Sequence, residues 1–140
     1  MANSSLLRHQ IINSLTTQAP ENVADAAINV WKLMATQIIS LVGESGFDSL
    51  YARSVFLTQS TYPWLAADLP LSASYQRFTL LKSSLEQQPP TLANTANHLL
   101  LITFTDILAT LIGEQLTTRI LRSAWSDDAS DKPGKEFKID

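Results

Sequence analysis

The sequence contains no cysteine, which excludes a disulfide scaffold, a thiolate metal site and a cysteine nucleophile. Only two histidines are present, His9 and His98. His98 is followed by Leu99, Leu100 and Leu101, and offers no second ligand three or four residues on. There is no HExxH pair and no Glu-x-x-His pattern of a di-metal helical protein. Glycine is scarce, with four residues, and no phosphate-cradling glycine loop occurs. "GESGF" lacks the last glycine of a nucleophile elbow and follows no strand pattern. These absences leave no catalytic constellation, no metal site and no cofactor motif.

Charge is also sparse. The first 125 residues carry seven basic and eight acidic side chains, about 12 %. The whole chain has a formal net charge of −3, and no basic stripe runs along it. Nucleic acid is therefore not an expected partner, nor is an anionic lipid surface. Soluble monomer surfaces are commonly richer in charge. A low-charge body rich in Leu, Ile and Ala predicts that part of the surface is covered, by a second copy (a dimer first) or by another protein.

Helical periodicity fills the rest. Leu7, Ile11, Ile12 and Leu15 mark a first helix over 4–17. A second follows Pro20, with Val23, Ala27, Val30, Trp31, Met34, Ile38 and Leu41 in one stripe and Leu33, Ile39 and Val42 behind it. Gly43 and Gly46 predict its stop. A third runs from Phe47 until Pro63 ends it. A fourth carries Tyr75, Phe78, Leu81 and Leu85, and stops at "QQPP". Residues 91–125 predict one long, mostly buried helix, apolar around its girth. Thr103, Asp106, Thr110, Glu114 and Thr117 draw a narrow polar stripe on it, a solvent or interface face. Asp106 near the middle of "HLLLITFTDILATLIG" argues against a membrane span. The polar stretch "SDDASDKPGKEFKID", 126–140, predicts a flexible charged tail.

Period-two alternation never persists, so the fold class is all-α: a single-domain bundle of about five helices over 1–125. The N-terminal "MANSSLLRHQ" is polar with no apolar h-region behind it, so the expected location is cytoplasmic.

One echo stands out. "SLVGESGF" at 40–47 and "TLIGEQLT" at 110–117 share Leu, a β-branched residue, Gly and Glu. Taking Gly46 as one extra residue in the first copy brings Arg53-Ser54 onto Arg122-Ser123. In that register the first copy breaks at Gly46, while the second stays helical through Gly113. The echo reads either as an internal duplication or as a chance match of common helix residues. In both readings, glycine in an apolar helix suggests close approach of a neighbouring backbone. Glu44 and Glu114 are then expected to pair with Arg53, Arg119 or Arg122, as registry devices if buried. The plainer alternative is a set of surface charges near helix ends.

The expectation is a non-catalytic interaction or regulatory module that self-associates or binds a protein. The alternative is a binding or sensor domain for a small apolar or amphipathic ligand, its pocket lined by Trp31, Tyr51, Phe56 and Phe104. An enzyme would need Glu44, Glu114, Arg53 and Arg122 to converge in one cleft.

Overall fold

A computed structural model describes residues 2–16, 23–65 and 77–130. Its regular elements there are all helices: α1 (Ala2–Thr16), α2 (Val23–Thr58), α3 (Arg77–Glu86), α4 (Pro90–Ile112) and α5 (Glu114–Ser130). The all-α class read from the sequence is therefore correct. The expected start at Pro20, the beginning of the fourth helix and residues 131–140 lie outside the described residues. Helix α5 continues through 126–130, which the sequence reading had placed in the tail.

Helix α4 opens on a proline pair. Pro89 sits at the cap and Pro90 in the first turn, where a missing N–H costs nothing. The single long helix expected over 91–125 does not form. It is cut at Gly113, whose backbone adopts φ 98 and ψ 152, and α5 starts afresh at Glu114. Helix α2 is cut in the same way at Gly43, with φ 82 and ψ 168. It thus consists of two arms, 23–42 and 44–58. Both glycines occupy a region of backbone space open essentially to glycine alone.

The shared backbone fixes the register of the echo. Gly43 and Gly113 lie 70 residues apart, and at that constant offset the buried positions coincide. Trp31 matches Leu101, Met34 matches Phe104 and Ile38 matches Leu108. Beyond the break, Phe47 matches Thr117, Tyr51 matches Leu121 and Val55 matches Trp125, all buried. The offset carries back into the first helices, where buried Arg8 falls on buried Phe78. In sequence, Ser14, Leu15, Gln18 and Pro20 recur as Ser84, Leu85, Gln88 and Pro90. No residue is inserted. Gly46 is helical, and the Arg-Ser pairs that suggested an insertion do not correspond. The two halves repeat one pattern: a leading helix, a long helix, a glycine break and a returning helix.

The long helices run side by side in one direction. Val23 and Ala24 lie beside Pro90 and Ala93. One turn after another along the pair, Trp31 Nε1 donates to Asn97 Oδ1 at 2.9 Å, and its ring stands 5.3 Å from that of Phe104. The arms after each glycine fold back along them. Tyr51 returns to within 5.4 Å of Trp31, ring to ring, and Trp125 donates to the carbonyl of Val30 at 3.1 Å. Both glycine corners therefore sit at the same end of the molecule. The leading helices are exchanged: α1 packs on α4 and α5 of the second half, and α3 packs chiefly on α2 of the first.

The centre is aromatic. Trp31, Phe47, Tyr51, Phe78 and Phe104 meet ring on ring at 5.3–6.2 Å, mostly edge to face. Burying each such ring contributes on the order of 2–3 kcal/mol. By length and composition, α2 and α4 are also apolar enough to cross a membrane.

Candidate functional site

The most concentrated chemistry lies where α1 crosses the corner between α4 and α5. Arg8 projects from α1 between Leu7 and Ile11, so its side chain enters with the apolar face of that helix and is only 3 % exposed. Such burial is tolerable for a guanidinium only when its donors are met. Nε and Nη2 donate to the two carboxylate oxygens of Glu114, at 2.5 and 3.1 Å, a bidentate fork. Nη1 donates to Asp106 Oδ1 at 2.7 Å and to Thr105 Oγ1 at 2.9 Å. The Thr105 hydroxyl in turn donates a hydrogen bond to the carbonyl of Leu101 at 2.9 Å. All three guanidinium nitrogens are engaged.

Electrostatics follow from that geometry. Burial pulls the Arg8 pKa down, but the hydrogen bonds and charges of Glu114 and Asp106 outweigh it and hold the guanidinium above its ordinary value. Glu114, the first residue of α5, also complements the positive end of that helix. Beside Arg8, His9 Nε2 lies 3.2 Å from Asp106 Oδ1. Two turns away, His98 of α4 contacts the side-chain amide of Asn13 on α1. The His98 pKa is lowered, first by burial and then by the charge of His9. The two histidines and both acids are thus the polar fastening of α1, around the buried apolar anchor Ile12. Each group is committed to a neighbour, so the cluster positions helices. No group of three or more potential metal ligands forms among the described residues.

The polar cluster expected from sequence does not assemble. Glu114 takes its cation from α1, not from Arg53, Arg119 or Arg122, which are all exposed. Glu44 is exposed at the other corner. The polar stripe on α4 was the useful signal: Asp106 and Glu114 face one way because a buried arginine lies across them. Arg8, Thr105 and Asn13 match no motif in the sequence. The visible sign of Arg8 was a cation inside the apolar spacing of Leu7, Ile11 and Ile12.

Among the described residues, the expected pocket lining does not face one common space. Trp31, Tyr51 and Phe104 fill the core against one another, while Phe56 is 70 % exposed on the surface. Among the described residues, clefts open elsewhere. One, about 190 Å³, lies at the start of the long helices between Ala24, Leu85 and Pro90. Another, about 510 Å³, is an open groove between α2 and α3 lined by Lys32, Ala35, Thr36, Ile39, Ser40, Glu44 and Phe78.

The glycines serve conformation rather than close packing. A Cβ at Gly43 or Gly113 would meet nothing within 4 Å. Their positive φ is the requirement. The tight spot is Gly46, where an added Cβ would fall 2.9 Å from the Cβ of Val42 across the bend.

Compared with models of known families, with curated proteins and with solved structures, the chain matches none of them.

Proposed function

We propose that the chain is a non-catalytic, single-domain helical bundle that acts as an interaction module and self-associates, first as a dimer. The observation that carries this reading is the end bearing the two glycine corners. Leu41 and Leu111, equivalent in the repeat, are 52 % and 62 % exposed there. Leu116, just past the second break, is also exposed. An apolar surface made of two equivalent elements matches the self-complementarity that a two-fold dimer needs. The low charge of the body supports the same reading.

Within this proposal α2 and α4 are core helices of a cytoplasmic protein. In support, α4 carries the Arg8-bonded Asp106 six residues before its end, and α2 breaks at Gly43. A charged pair within a spanning helix is costly in lipid. Neither a nucleic-acid partner nor a cofactor is part of the reading.

Light scattering and sedimentation at micromolar concentration test it. A dimer that dissociates on the double change Leu41→Ser and Leu111→Ser is the expected result. A strict monomer across that range sinks self-association through this end.

A further inference from the structure

One guanidinium spans the second glycine corner. Arg8 bonds Thr105 and Asp106 near the end of α4, and Glu114 on the first turn of α5. These contacts bracket the break at Gly113 and, just before it, Leu111. Leu116 follows in the first turn of α5, and both leucines are exposed. The corner glycine itself is open, since a Cβ there would have no neighbour within 4 Å. Backbone bonds tie each side of it separately: Gly113 N–H donates to the Ala109 carbonyl, and Thr117 N–H to the Gly113 carbonyl. Arg8 adds a brace across the angle. A planar guanidinium forked onto one carboxylate, with its third nitrogen on a second helix, holds its acceptors in one geometry.

Helix α1 depends on the same bonds. It has 15 residues, a length that is marginal for a helix alone in water. Among its described side chains Arg8 and Ile12 are the buried ones, and Leu6 is exposed. What fastens α1 to the second half is therefore largely what braces the corner. The equivalent place in the first half holds Phe78, packed on Trp31, Phe47 and Tyr51 in the aromatic centre. The guanidinium brace thus serves Leu111, one of the two equivalent leucines.

We propose that the docking of α1 through Arg8 controls self-association: the guanidinium fixes the corner that presents Leu111 and Leu116, so a second copy of the chain binds the α1-docked form more tightly. This inference rests on the self-association proposed above and adds its regulation. Anything that loosens α1 then weakens the dimer, and the dimer in return holds α1 down.

Sedimentation equilibrium of the full chain measures the dimer Kd, with helical circular dichroism as the check that each variant is folded. Arg8→Gln and Glu114→Gln are each expected to weaken the dimer about ten-fold. Arg8→Lys keeps the charge but loses the fork, and is expected to fall between them and the parent. Net charge alone predicts a different pattern. The chain carries −3, so added repulsion would weaken the dimer of Arg8→Gln while reduced repulsion would strengthen that of Glu114→Gln. A second measurement needs no variant. Because coupling is reciprocal, amide hydrogen exchange in α1 of the parent chain is expected to slow as concentration rises through the Kd, by more than exchange in α3. An unchanged Kd in both folded variants, or α1 exchange that merely follows α3, overturns the coupling and leaves self-association standing. A parent chain that stays monomeric overturns self-association, and the coupling with it.

Discussion

Two glycines and one arginine decide more of this molecule than their numbers suggest. Gly43 and Gly113 have room for a side chain but not the backbone for one. Changing either to alanine is expected to cost about 1–3 kcal/mol, from conformational strain alone. Denaturant unfolding measures it, and a cost below about 0.5 kcal/mol at both sites would contradict the strained geometry. At Arg8 the two acids contribute unequally. Glu114 holds two nitrogens and is the less exposed partner, at 27 % against 50 % for Asp106. Glu114→Gln is therefore expected to destabilise by about 1–3 kcal/mol, and Asp106→Asn by less; the same unfolding measurement ranks them. His98 gives a pH dependence. Its pKa is lowered in the folded chain, so the unfolded chain takes up the proton first as pH falls. The stability it contributes is complete above the unfolded value of about 6.5. It is lost as pH drops below that and levels off beneath the folded value. A His98→Gln protein is expected to show a shallower fall between neutral pH and pH 5 than the parent.

At the scale of elements, periodicity located the helices and failed at their joints. Leu7, Ile11 and Ile12 marked α1, and the stripe from Val23 to Leu41 marked the first arm of α2. The cut at Gly113 was hidden because apolar residues continue without interruption on both sides of it. Nothing in composition distinguishes a helical glycine from one at φ 98. The register of the echo follows packing, not the surface arginines. The inserted residue serves only to pair Arg53 with Arg122, which face solvent and answer to no packing constraint. Aligned on Trp31, Tyr51 and their buried counterparts, the echo needs no insertion. The Arg8–Glu114 pair was beyond reach because its partners are 106 residues apart, and only the docking of α1 brings them together. Trp31, Phe47, Tyr51, Phe78 and Phe104, at helical spacing, are core, whereas Phe56 is exposed, so spacing alone does not assign a face near a helix end.

At the scale of the whole molecule, the repeat makes the two halves alike in plan and different in use. One corner is locked by its own arginine; the other has turned the equivalent position over to the aromatic core. The exchange of leading helices has a further consequence. Helix α1 finds its partners in the second half and α3 finds its partners in the first, so neither half carries a complete core of its own. A chain cut between Leu65 and Arg77 is expected to give two fragments that are each largely unfolded alone and regain helical circular dichroism when mixed at equal concentration. Independent folding of either fragment would show that the exchanged helices are dispensable. The same interlocking implies that the chain unfolds as one cooperative unit: neither half can come apart without stripping a helix from the other.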